Sequence, residues 1–216
     1  MCKDNNNRAA RIDGIIFDVD GTVWDSTPIV EKAWNHALKE AGHKERVTAK
    51  RLKGLFGLPM DAIIRDILPD ATEEERERFA PYCYRYEHDY LQENGGIVYE
   101  GFGRMLEELD KKYPLYVVSN CQAGYIELMM EKTGFGRYFK DHLCFGDNDK
   151  LKAENIRIIC ERNGLKNPVY VGDTQMDADA CREAGVPIVF ASYGFGTVKE
   201  PDYVIETPME LVTLFD

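Results

Sequence analysis

Two aspartates, Asp18 and Asp20, stand two residues apart in IIFDVDGTVWDST (15–27), directly after an apolar run and directly before Gly21-Thr22. An apolar segment of that length is expected to form a buried strand, where an unpaired carboxylate is costly enough to neutralise instead. Something has to compensate them. Other stretches also end on polar groups. Ser119 and Asn120 close LYVVSN (115–120), and Asp173 closes PVYVGD (168–173) with Asp177 four residues on. Lys150 and Lys152 precede ENIRIICERNG. Residues two apart in an extended chain project to the same side. Asp18 and Asp20, joined by Asp173, would then form a hard-oxygen cluster suited to Mg²⁺, an ion that keeps several waters and recruits phosphate oxygens. The metal would compensate the carboxylates.

The elements that must bring these residues together are legible in outline. IDGIIFDVD is near-continuous apolar sequence with β-branched residues, as in a strand covered on both faces. LYVVSN, PVYVGD and VPIVFAS (186–192) repeat the pattern. Between them lie AGYIELMMEKTG, ENIRIICERNG and MDADACREAG, which have helical periodicity, the last two ending on Gly164 and Gly185 as C-terminal caps. Strands alternating with helices predict an α/β fold with a Rossmann-like parallel sheet and helices on both faces. In such a sheet ligands bind outside the carboxyl ends of the strands, where the polar residues fall.

Residues 28 to about 94 break the rhythm. Asp25, Ser26 and Thr27 before Pro28 predict a capped helix start. That helix runs to Gly42, and TAKRLKGLF, PMDAIIRDIL and TEEERERFAPYCYRYEHDYLQEN read as further helices with no strand among them. An all-helical cap inserted after the first strand is expected, with 24–96 as the cap and 12–23 plus 97–216 as the α/β core. Asn94-Gly95-Gly96 suits a hinge. The polar residues 1–11 are expected to lack fixed structure.

Composition narrows the partners. With 27 Lys and Arg against 38 Asp and Glu, the formal net charge is −11, which argues against nucleic acid or an anionic membrane surface. The six cysteines are scattered without a CxxC pair, and the first residues carry no apolar signal segment, so reduced thiols in a cytoplasmic protein are expected.

Four motifs occur in order at the ends of the expected strands: DVDGT (18–22), VVSN (117–120), KAEN (152–155) and GDTQMD (172–177). Together they make residues 12–216 resemble the haloacid dehalogenase superfamily phosphatases, in the phosphoglycolate phosphatase-like branch with a helical cap. The resemblance implies an Mg²⁺-dependent phosphomonoesterase acting on a small phosphorylated metabolite through an aspartyl-phosphate. It makes Asp18 the nucleophile and Asp20 the general acid and base. Ser119 and the backbone after it would hold phosphoryl oxygens, with Gly21, Thr22 and Asn120 in the same phosphate-binding set. Lys152 would neutralise the nucleophile and the transferring group. Asp173 would bind the metal with Asp18 and the backbone carbonyl of Asp20, and Asp177 would orient Lys152 or a metal-bound water. The family more often has Pro after the lysine, where this chain has Ala153.

Several assignments have a plainer alternative. Asp177 at a helix start is favoured by the macrodipole alone, and Lys150 lies close enough to Lys152 to compete for its role. GFG (194–196) shapes the phosphate rim or is a plain loop, and Trp24 packs at the junction or within the cap. The cap aromatics Phe79, Tyr82, Tyr84, Tyr86 and Tyr90 read as core, TEEERER as a solvated face, and GLFGLPMD (54–61) as the cap segment that reaches the core site. A sugar phosphomutase shares core and cap, and a non-catalytic phospho-ligand binding module is a third possibility. A monomer or weak homodimer is expected.

Overall fold

All four residues of Gly14–Phe17 are buried, so the first apolar run forms a strand, β1, covered on both faces. A computed structural model describes residues 12–216. The expectation for residues 1–11 lies outside them. After β1 come β2 (Trp24–Asp25), α1 (Thr27–Glu40), α2 (Ala49–Lys53), α3 (Met60–Ile67), α4 (Glu73–Asn94) and β3 (Ile97–Val98). The chain continues through α5 (Phe102–Leu109), β4 (Leu115–Ser119), α6 (Tyr125–Thr133), β5 (Phe139–Cys144), α7 (Phe145–Asn148) and α8 (Lys152–Asn163). It ends with β6 (Pro168–Gly172), α9 (Gln175–Ala184), β7 (Ile188–Ala191) and β8 (Tyr203–Ile205).

Six strands form one parallel sheet in the order β5-β4-β1-β6-β7-β8. The pleat sends alternate side chains to opposite faces. Ile15, Phe17, Val117 and Val171 pack with Phe102 and Met105 of α5 and Ile126 and Met129 of α6. Ile16, Tyr116, Val118 and Tyr170 pack with Ile156 and Ile159 of α8 and Cys181 of α9. Each large apolar side chain so buried contributes about 1.5–3 kcal/mol. From β1 the chain builds outward through β4 to β5, then returns to add β6 on the other flank of β1. That reversal opens a crevice at the carboxyl end of β1.

The helical insertion α1–α4 follows β1 as expected. Side chains with short oxygen-bearing tips start two of its helices: Thr48 caps α2, and Thr72 with Glu75 makes a capping box on α4. The start of α1 differs from the expectation. Ser26 occupies the cap position but makes no capping bond, because its hydroxyl donates to Asp20 instead. Asp25 Oδ1 takes the backbone N–H of Thr27 at 3.0 Å in its place.

Four strands escaped the sequence pattern. β5 reads FKDHLC and lies at the sheet edge, where polar and charged residues break the apolar signal. β8 is a three-residue strand at the opposite edge. β2 and β3 pair antiparallel, Trp24 with Val98 and Asp25 with Ile97, so the two passages between cap and sheet form one ribbon. Gly96 beside that ribbon is required by close approach: a Cβ there would lie 2.6 Å from the Trp24 ring. Among the described residues all five cysteines are free thiols, and no helix is long and apolar enough to cross a membrane.

Candidate active site

Asp18 lies one residue past β1, its backbone N–H bonded to the Val171 carbonyl of β6 at 2.9 Å. Asp173 lies one residue past β6, and Ser119 is the last residue of β4. Lys152 opens α8, and Asp177 sits in the first turn of α9. Neighbouring parallel strands end at one level, so residues far apart in sequence converge. Lys152 Nζ lies 2.9 Å from Asp18 Oδ1 and 2.5 Å from Asp177 Oδ1, with all three side chains buried. Lys150 instead pairs with Glu154 at the surface. Of the two lysines, Lys152 is the one the fold delivers.

Burial would lower the Lys152 pKa, but the carboxylates of Asp177 and Asp18 outweigh it and hold the ammonium charged above its ordinary range. Asp177 unites both roles read from the sequence. Its Oδ1 takes Lys152, while its Oδ2 accepts the Thr174 N–H at 2.9 Å and hydroxyl at 2.6 Å, closing a capping box on α9.

Asp18, Asp173 and Asp177 each offer a carboxylate oxygen, and these lie within 4.8 Å of one another. Three buried carboxylates against one ammonium leave a charge of about −2, and burial drives Asp18 and Asp173 upward from the usual carboxylate range. Asp18 Oδ1 is paired with the Lys152 ammonium at 2.9 Å. Both Asp177 oxygens are already bonded. Excess negative charge and all-oxygen donors fit a hard divalent cation, with Asp18 and Asp173 as its freest ligands.

Two tight approaches hold Asp173. Gly21 has φ +83, and a Cβ there would lie 2.1 Å from Asp173 Oδ2. Gly194 is pressed against both Asp173 and the Gly21 carbonyl, and Phe195 N–H donates to Asp173 Oδ2 at 2.7 Å. The GFG loop therefore positions a carboxylate of the cluster. Thr22 is expected in the phosphate-binding set. It is buried, its hydroxyl lies 3.4 Å from Asp173 Oδ1, and neither it nor Gly21 lines the cavity described next.

The crevice and the cap enclose a cavity of about 340 Å³. Asp18, Asp20, Ser119 and Asn120 form its core side, and Phe56, Gly57, Leu58 and Met60 bring the expected cap segment over it. Asn120 Nδ2 donates to the Gly57 carbonyl at 2.8 Å, tying the cap loop to the core, while its Oδ1 is buried without a partner. Asp20 is held by one oxygen: Oδ1 accepts from Ser26 Oγ at 2.5 Å, Tyr125 OH at 2.8 Å and Trp24 Nε1 at 3.2 Å. Burial raises its pKa to about 7 against the pull of the Ser26 and Tyr125 bonds. Trp24 thus belongs to the junction, edge-on to Tyr125 at 5.9 Å between ring centroids.

Phe79 is core, as expected of the cap aromatics, but Tyr84 is 37% exposed and lines the cavity. Tyr125, Gln122 and Glu87 also line it and went unread in the sequence. Glu87 lay hidden in EHDY on a charged helix, and only its 4% exposure marks it off from the other acids of α4.

The family model of haloacid dehalogenase-like hydrolases matches residues 15–191. A phosphoglycolate phosphatase of Aquifex aeolicus is 28% identical over 94% of this chain and 96% of its own. One from Rhodobacter capsulatus is 26% identical over 84% of each. A haloacid dehalogenase-like family hydrolase from Streptococcus pneumoniae superimposes with a TM-score of 0.83 at 22% identity, covering 95% of this chain and 99% of that one. Fold, site and family match agree, and the chain belongs to the haloacid dehalogenase-like hydrolases.

Proposed function

We propose that the protein is an Mg²⁺-dependent phosphomonoesterase acting on a small phosphorylated metabolite through an aspartyl-phosphate on Asp18. The observation that carries this reading is the buried Asp18–Lys152–Asp177 ion triad with Asp173 beside it, reached through Asp18 from a cavity between the core and the cap. The names of the curated relatives support the same activity class.

The roles follow from the contacts. Lys152 does not line the cavity, so it acts through Asp18, keeping that carboxylate ionised and aimed. An Asp18 oxygen attacks phosphorus as the ester P–O bond breaks, giving an acyl phosphate. Asp20, with one oxygen fixed by three donors and a pKa raised to about 7, delivers a proton to the departing alkoxide. In the second step it takes a proton from the water that attacks phosphorus, and Asp18 leaves as carboxylate. Ser119 lines the cavity beside Asp18 and would donate to a phosphoryl oxygen. A divalent ion bound at Asp18 and Asp173 would supply charge neutralisation for the phosphoryl oxygens. The cap excludes bulk water from the acyl phosphate.

The test is release of inorganic phosphate from a panel of phosphate esters with Mg²⁺ and with EDTA. Metal-dependent release that Asp18→Asn abolishes is expected. Turnover retained by Asp18→Asn would overturn the mechanism, and conversion of a hexose 1-phosphate to its 6-phosphate without net release would make the protein a mutase.

A further inference from the structure

The phosphoryl transfer described above uses Asp18, Asp20, Ser119, Lys152 and Asp173, but it gives no role to the two other carboxylates in the cavity wall, Glu87 and Asp149. Glu87 comes from the cap helix α4 and is 4% exposed. Each of its oxygens is fixed by one donor: Trp34 Nε1 reaches Oε2 at 2.7 Å, and Gln122 Nε2 reaches Oε1 at 2.9 Å. A carboxylate oxygen has two lone pairs, so each retains acceptor capacity toward the cavity. Burial raises the Glu87 pKa to about 7, opposed by the Gln122 and Trp34 bonds.

The rest of the wall decides what can meet it. Phe56, Leu58, Met60, Ile63 and Tyr84 are apolar or aromatic, and Asp149 is a further acid. No Lys, Arg or His lines the cavity among the described residues. A leaving alcohol bearing a carboxylate would bring another anion into a buried space that already holds Asp18, Asp20 and Glu87, with no cation to receive it. A leaving alcohol bearing a hydroxyl or an ammonium would instead give Glu87 a hydrogen bond, with its carbon skeleton on the aromatic and aliphatic wall.

Resting on the phosphatase reading above, we propose that Glu87 is the specificity-determining residue, and that it selects phosphate esters whose leaving group carries a hydrogen-bond donor and no carboxylate. Two sources share that chemistry, polyol or sugar phosphates and amino-alcohol phosphates. The arms of the test separate them.

The test compares phosphoglycolate, glycerol 3-phosphate and phosphoethanolamine as substrates of the wild type, Glu87→Gln and Glu87→Leu, with Mg²⁺. Equilibrium affinities of the same esters for the Asp18→Asn protein are measured in parallel. For the wild type, at least one donor-bearing ester should exceed phosphoglycolate in kcat/KM by about tenfold or more, the worth of a hydrogen bond to a charged group. Preference for phosphoethanolamine alone would identify the ammonium, and preference for glycerol 3-phosphate the hydroxyl. Glu87→Leu should collapse that ratio, chiefly through KM. Glu87→Gln retains a carbonyl acceptor without the charge, so it should relax the discrimination against phosphoglycolate and cost hydroxyl esters less than the ammonium ester. Wild-type preference for phosphoglycolate, or an equal loss on every ester in both variants, would overturn the proposal by making Glu87 a link between cap and core and nothing more. Binding preferences that match the proposal in the absence of any turnover would overturn the phosphatase reading and leave the specificity intact.

Discussion

At the scale of single residues, the site is a problem of buried charge solved pairwise. Lys152 is the only cation against Asp18 and Asp177 among the described residues, and it is itself 3% exposed. Removing one partner of a buried pair leaves the other uncompensated, so Lys152→Met should destabilise the protein by about 3–5 kcal/mol as well as stop turnover. Denaturant unfolding at constant pH checks the first part, and a loss below about 1 kcal/mol would show that water already reaches the cluster. Glu87 makes a prediction about pH. Its carboxyl has an ordinary value of 4.5 and is raised to about 7 by burial, so the folded state favours the neutral form. The stability this contributes is complete below pH 4.5 and is lost as pH rises through about 7, to a maximum of roughly 3 kcal/mol. Asp20 and Tyr125 of the core and Cys83 and Tyr84 of α4 respond to the Glu87 charge, so the comparison must be made against a variant. Glu87→Gln should lose less stability than the wild type between pH 5 and pH 7.5, measured by urea unfolding across that range. Parallel profiles for the two proteins would contradict the burial argument.

At the scale of elements, two hydrogen bonds fasten the cap to the core across the cavity itself, Gln122 to Glu87 and Asn120 to Gly57. Asn120, just past β4, holds the carbonyl of Gly57 in the loop between α2 and α3. A neutral hydrogen bond contributes about 1 kcal/mol, so Asn120→Ala should speed amide exchange in residues 54–61 by about fivefold and leave the strands unchanged. An unchanged exchange rate would mean that packing of Phe56 on Phe195, not the amide, holds the loop. The same loop shows where sequence reading works. Gly54, Gly57 and Pro59 between two amphipathic helices announce a turn, and the insertion after β1 leaves it facing the strand ends. It also shows where sequence reading stops. The polar edge strand β5 carries no apolar run, and the β2–β3 ribbon is two residues on each side, too short for any periodicity.

At the scale of the whole molecule, folding brings together three buried carboxylates that could hold a divalent metal, a donor set the unfolded chain does not assemble. Mg²⁺ at a hundred times its dissociation constant should therefore stabilise the fold by about 2.7 kcal/mol, seen as a rise in Tm that EDTA reverses. An unchanged Tm at millimolar Mg²⁺ would argue against a metal at Asp18 and Asp173. What the sequence by itself determined was the part of the protein written in local pattern: alternating strands and helices, the all-helical insertion, and four motifs whose carboxylates and lysine end up together. Backbone periodicity and capping chemistry act over a few residues, so they survive in a linear reading. Only the tertiary structure decided that Lys152 rather than Lys150 reaches Asp18, that Thr22 turns to Asp173 and Asn120 to the cap, and that Glu87 faces the cavity. Those outcomes depend on which face of an element is buried against which neighbour, and burial of a charged or polar side chain is settled by contacts between distant segments that no local spacing records.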